Sequence, residues 1–219
     1  MMGETEVSKV LSRLGALLPL SSRIASLTDQ QRQCYQSVCY GLLARAIPII
    51  LEGPALEDVQ QLAELDLVVL DSENEQVLGA YPVTTEVTPH HLGIGSRDLY
   101  AMCAFDAVSI APLLKQRVEI ESVCAVSKDV VSLVQEGSRV LACSSDDLHI
   151  GIGWQDTNAC AAHSLCRDMV FLASRELAEQ WQQGRTASIL TLAQAIEAGS
   201  QFFAPVLEPI HARLASRSI

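Results

Sequence analysis

Up to about residue 65 the apolar residues of this chain recur at helical spacing, and between about residues 118 and 142 they alternate, so no single-class fold accommodates the whole sequence. Val10, Leu11, Leu14, Leu17 and Leu18 share one face of a helix predicted over 8–20 and stopped by Pro19. Thr28-Asp29-Gln30-Gln31 reads as the start of a second, which carries Tyr35, Val38, Leu42 and Leu43 and ends near Pro48. Val59, Leu62, Ala63 and Leu65 predict a third over 56–65. The β-prone run Leu67-Val68-Val69-Leu70, a polar turn at Asp71-Ser72-Glu73-Asn74-Glu75 and a returning strand over 77–83 then close a hairpin. Three helices and a hairpin make residues 1–85 a winged-helix-like module.

The remainder, 86–219, reads as a mostly antiparallel sheet domain with helices, and the chain as a whole as α+β. A helix is predicted over 99–114, with Pro112 tolerated near its end. Residues 118–121, 130–134 and 139–142 alternate as half-buried strands do, and 149–154 and 165–173 are further strand candidates. Residues 175–183 predict a helix ending at Gly184, and 188–199 a last helix on Leu190, Leu192, Ala193 and Ile196. At 219 residues the chain can bury a full core without covalent staples.

Charge narrows the partners. Fifteen Lys and Arg face 26 Asp and Glu, a net charge of −11, which repels phosphate backbones and anionic lipid and argues against nucleic acid or membrane as a partner. Residues 1–85 alone carry five basic and 11 acidic side chains, a balance of −6, so the winged-helix-like part is expected to pack rather than to read DNA. The start Met1-Met2-Gly3-Glu4-Thr5-Glu6 has acids where a secretory signal is basic, and the apolar run 41–51 is broken by Arg45 and Pro48. A cytoplasmic protein without a transmembrane helix is therefore expected. Seven cysteines, an odd number with no CxxC pair, fit buried or reactive thiols better than disulfides or structural zinc.

The segment Tyr100-Ala101-Met102-Cys103-Ala104-Phe105-Asp106 is the most informative for chemistry. On a helix, Cys103 and Asp106 stand at i and i+3 and can share one small volume. Spacing leaves open the alternative of a buried Cys beside a solvent-facing Asp. The run from Leu99 to Ala107, then Glu121-Ser122-Val123-Cys124-Ala125, then Ser164-Leu165-Cys166 leading to Val170-Phe171-Leu172-Ala173-Ser174 resembles the alkylmercury lyase family over roughly residues 85–205. By position, Cys103, Cys166 and Asp106 match the two cysteines and one aspartate of that family's site, the thiols being 63 positions apart. Two departures from familiar members are Met102, where Trp is common, and Arg167-Asp168-Met169 after the second cysteine.

The resemblance implies protonolysis of a carbon–mercury bond to a hydrocarbon and Hg(II), with Cys103 and Cys166 as soft ligands to mercury and Asp106 moving the proton. It implies no cofactor, mercury being substrate and product, and as partners an organomercurial, small cellular thiols and a mercuric reductase. A non-catalytic thiol protein that binds or senses metal is the alternative on the same fold. Cys34, Cys39 and Cys124 read as structural, and Cys143 and Cys160 as loop thiols open to an accessory relay role. His90, His91 and His163 lack the spaced partners of a metal site, and His163 precedes Cys166 by three residues.

Overall fold

The computed structural model describes residues 5–50, 55–73, 75–154 and 160–215; the acidic start before Thr5 and Asn74 of the polar turn lie outside them. The order of elements is α1 (Glu6–Leu17), α2 (Leu20–Ala25), α3 (Asp29–Arg45), β1 (Ile49–Ile50), α4 (Ala55–Glu64), β2 (Val68–Leu70), β3 (Gln76–Ala80), β4 (Val83–Thr84), β5 (His91–Ile94) and β6 (Arg97–Ala101). There follow α5 (Ala104–Leu114), β7 (Arg117–Val123), β8 (Val130–Glu136), β9 (Arg139–Cys143), β10 (His149–Gly153), β11 (Met169–Leu172), α6 (Arg175–Gln182), β12 (Ala187–Thr191) and α7 (Leu192–Ala215). Short 3-10 turns at Ala161–His163 and Leu165–Asp168 lead into β11.

Local chemistry places the element ends. Thr5 caps α1 by accepting from the Ser8 amide, and Thr28 with Gln31 forms a full capping box on α3. Strand β7 alternates exposed and buried residues along its whole length, with Val118, Ile120 and Ser122 inward. Helix α5 is different: ten of its 11 residues are buried, which is the signature of a helix enclosed on all sides.

The strands form two antiparallel sheets. The larger runs β1-β3-β4-β6-β5-β7-β8-β9, with β2 also on β3, and the smaller runs β11-β10-β12. A parallel bridge between Cys124 and Phe171 joins them. Helix α5 packs against β6, β7 and β8 of the first sheet and against β10 and β11 of the second, so its start faces the seam. Helix α7 lies on α5, and α1, α2 and α3 pack on α7 in turn, which makes one hydrophobic core from Val7 to Val206. Mixed helix and antiparallel sheet is thus the architecture. Among the described residues no helix is long and apolar enough to cross a membrane.

Three predicted elements are corrected. The helix expected over 99–114 splits: residues up to Ala101 pair as β6 with β4 and β5, and the helix begins only at Ala104. Leu99, Ala101 and Cys103 alternate inward as a strand requires, a pattern masked by the continuous apolar run that follows. The strand over 165–173 is confined to Met169–Leu172, because Leu165–Asp168 coils as a 3-10 turn. In the helix over 188–199, Ala187–Thr191 pairs with β10, and α7 starts where Gln194 caps back to Thr191.

The tie between the N-terminal helices and the rest is polar as well as apolar. Asp66, just past α4, accepts from Arg23 Nη1 of α2 at 3.2 Å, Tyr81 Oη at 3.0 Å, Cys160 Sγ at 2.9 Å and the Ala161 amide at 3.3 Å. The Ala162 amide in turn donates to Tyr81 Oη at 2.9 Å. Burial and the Asp66 carboxylate push the Cys160 thiol up to about 11, which keeps it a donor.

The contact of α7 with α5 depends on a glycine. A Cβ on Gly199 would lie 1.9 Å from Ser109 Oγ and 2.9 Å from Ser109 Cβ, so Gly199→Ala is expected to destabilise the fold by about 1–3 kcal/mol. Gly15 of α1 has nothing within 4 Å of that position, and Gly15→Ala is expected to stabilise by about 0.5–1 kcal/mol. Denaturant unfolding of the two variants checks both signs.

Candidate active site

The seam between the sheets holds the chemistry. Cys103 follows β6 with an extended backbone, φ −156° and ψ 175°, and caps α5: its sulfur accepts the Asp106 amide at 3.3 Å. The three-residue spacing of thiol and carboxyl is therefore that of an N-cap and the third helical residue, not of two neighbours on a helix face. Both are fully enclosed, Cys103 at 0% and Asp106 at 2% exposure. Cys166 arrives from the 3-10 turn before β11 and lies with Sγ 4.0 Å from Asp106 Oδ2. One ligand atom from each of Cys103, Asp106 and Cys166 can be chosen so that all lie within 4.8 Å of one another.

Electrostatics make this cluster neutral at rest. Burial pushes the Asp106 carboxyl up to about 8, the contact to Cys103 opposing it. Burial, with Cys166 and the Asp106 charge adding, holds the Cys103 thiol well above its ordinary range. For Cys166 the contact to Cys103 pulls down, but burial and the charges of Asp106 and Asp66 outweigh it and the thiol is raised. Two thiols and a protonated carboxyl packed together in one buried corner are placed to pass a proton when a metal displaces it from sulfur. The sulfurs are also soft donors that suit a soft cation.

Access is one-sided. A cavity of about 550 Å³ is lined by Met102, His163, Cys166, Arg167, Met169 and Phe171 among others, whereas Cys103 and Asp106 lie behind its wall. Met169, which sequence reasoning did not single out as a site residue, donates nothing but accepts the Cys103 thiol proton at Sδ, 3.5 Å away. Its only sequence signal is its place three residues after Cys166, at the start of an inward strand.

The remaining candidates fall elsewhere. Cys124 is buried at the bridge between the sheets, its sulfur accepting the Ala173 amide at 3.4 Å. Cys39 is buried and Cys34 half-buried on α3, and Cys143 is half-buried at the end of β9. Cys160 is bound to Asp66 as described. His90 bonds Ser122 Oγ through Nδ1 at 2.8 Å, and burial lowers it to about 4; His91 pairs with Asp98 at 3.0 Å. His163 lines the cavity without joining the cluster.

Comparison with known proteins bears on what this arrangement is. A family model described as alkylmercury lyase matches residues 83–204. An alkylmercury lyase of Staphylococcus epidermidis is 30% identical over 166 residues, which is 72% of this chain and 76% of that protein. One from Bacillus cereus is 28% identical over 150 residues, 67% of each. Among solved structures, the mercury-bound form of MerB2 superimposes with a TM-score of 0.74 at 19% identity, covering 89% of this chain and 99% of that one, which shows a common fold. The family match spans more than half of the 219 residues and takes in every element that builds the seam, and on that ground the chain belongs to the alkylmercury lyase family.

Proposed function

We propose that this protein cleaves the carbon–mercury bond of organomercurials by protonolysis, with Cys103, Cys166 and Asp106 as the catalytic residues. The observation that carries the reading is the enclosed cluster of two sulfurs and one carboxyl within 4.8 Å. A linear S–Hg–S unit spans about 4.6 Å, twice the ~2.3 Å of a metal–thiolate bond, and the two sulfurs, no more than 4.8 Å apart, are near enough to share one mercury ion.

The cavity sets the order of events. An organomercurial enters as its thiol adduct, RHg–SR′, and meets Cys166 first, because that sulfur alone of the three residues lines the cavity. Exchange forms the Cys166–Hg bond and breaks Hg–SR′, and the Cys166 proton leaves on R′SH. Cys103 then bonds to mercury and gives up its proton, while the Asp106 carboxyl protonates the carbon as the Hg–C electron pair moves onto it; the Cys103 proton restores the carboxyl. The sum is RHg–SR′ and two thiols going to RH, R′SH and Cys103–S–Hg–S–Cys166, with mercury as Hg(II) throughout. Two small thiols then lift Hg(II) from the pair and return both protons. The scheme balances with mercury as substrate and product and no further cofactor.

The raised proton affinity of Asp106 supports its role, since an acid near 8 carries its proton at neutral pH and can be refilled by the proton that mercury displaces from Cys103. In this reading residues 86–219 form the catalytic part. Residues 1–85 are a winged-helix-like module that buttresses it, with an acidic balance unsuited to DNA. A cytoplasmic setting, where small thiols are abundant and a mercuric reductase can take the product, suits both halves of the cycle.

The variant Asp106→Asn separates an enzyme from a binder. It is expected to lower hydrocarbon release from methylmercury in excess small thiol by about 10²–10⁴-fold. Uptake of Hg(II), which rests on the sulfurs, should change only a few-fold. Gas chromatography and mercury titration read the two, and turnover at the parent's rate would remove Asp106 from the proton path.

The same residue gives a pH signature. The folded protein holds the Asp106 proton up to about pH 8 and the unfolded chain only to about its ordinary 3.8, so the folded state binds more protons between those values. Stability is therefore expected to fall as pH rises through that window, and Asp106→Asn to flatten the fall. Denaturant unfolding of both proteins from pH 5 to pH 9 checks it.

A further inference from the structure

Met169 brings a third sulfur to the corner of Cys103 from a buried position. It opens β11, where its backbone pairs with Ile152, and it is 3% exposed. The Cys103 thiol donates to its Sδ at 3.5 Å, so the Met169 thioether stands within reach of the proton that Cys103 gives up. The place of that proton is where a metal bound to Cys103 must come. Met102 also lines the cavity, but its methyl end lies toward Gly79, 2.7 Å from where a Cβ there would stand.

We propose that the Met169 thioether is a third sulfur donor to mercury held by Cys103 and Cys166, and that it slows the release of inorganic Hg(II). The inference deepens the organomercurial reading above and rests on it for the identity of the ion. Geometry supports it. An ion about 2.3 Å from Cys103 Sγ and about 2.7 Å from Met169 Sδ, with those sulfurs 3.5 Å apart, sees them at roughly a right angle. A linear pair of thiolates leaves that equatorial direction open, so the thioether completes a T-shaped set without disturbing the stronger bonds. A neutral thioether adds no charge to a site from which two thiol protons have gone, and as a soft donor it prefers mercury to the hard ions of the cell.

The site also has a reason to want such a ligand. While Cys103 is protonated, its hydrogen bond to Met169 holds the thiol in place in the absence of substrate. When mercury replaces that proton, the same thioether turns from accepting hydrogen to donating to metal, and little has to move.

The test uses the full-length chain, inorganic Hg(II) as the probe and selenomethionine as the reporter. Of the four methionines two are Met1 and Met2, which leaves Met102 and Met169 inside the fold. Selenium-edge X-ray absorption of the labelled, Hg(II)-loaded protein is expected to show mercury as a neighbour of selenium. That path should persist in Met102→Leu and vanish in Met169→Leu, which keeps the volume and the strand. Stopped-flow capture by a small dithiol should find Hg(II) leaving Met169→Leu about tenfold faster than the parent. A labelled parent without a selenium–mercury path, or a path that survives Met169→Leu, overturns the proposal. If the parent shows the path yet makes no hydrocarbon from methylmercury, the lyase reading fails and the third sulfur stands.

Discussion

The hydrogen bond from the Asp106 amide to the Cys103 sulfur is the contact on which the site depends. A helix start leaves backbone N–H groups without partners, and in the middle of a protein those groups must be satisfied. Here a sulfur does it. Because the cap is fixed to its helix, the carboxyl of the third helical residue is brought to the same buried corner as the thiol, and neither can wander without leaving an amide unpaired. The burial of α5 by both sheets turns that local geometry into a rigid one.

Enclosure then decides the chemistry. In water, Asp106 would be ionised; at the seam, removal of water raises the carboxyl to about 8, so it keeps its proton at neutral pH beside two thiols that are raised as well. A resting site without net charge is also the state that tolerates burial best. Sulfur meeting a cation there replaces protons one for one, so the corner never has to hold an isolated charge.

The sequence revealed the fold unevenly, and for physical reasons. Capping residues and periodicity placed α3 and β7 well, because Thr28 with Gln31 and the alternation of Val118, Glu119, Ile120 and Glu121 are local signals. The boundary at Ala101 was hidden, since a strand running into a fully buried helix is apolar at every position and carries no period. That concealment mattered at the site: Cys103 and Asp106 were rightly placed as neighbours, but the cause is a cap rather than a helix face. The approach of Cys166 was legible only by resemblance, because it depends on a seam between sheets 63 positions along the chain. Met169 had only its place three residues after Cys166 as a signal, as its importance is a distance and not a pattern.

Asp66 has a consequence of another kind. Its two oxygens take hydrogen bonds from α2, from the strand turn at Tyr81 and from the segment that leads through Cys160 to Cys166. The second sulfur of the site thus hangs from a guy-line whose far anchor is Arg23, in the part of the chain that lies outside the family match. The tension on that line is set by residues with no chemical duty. Drift among the N-terminal helices can therefore retune how firmly Cys166 is held against its partners, leaving the corner at Cys103 untouched.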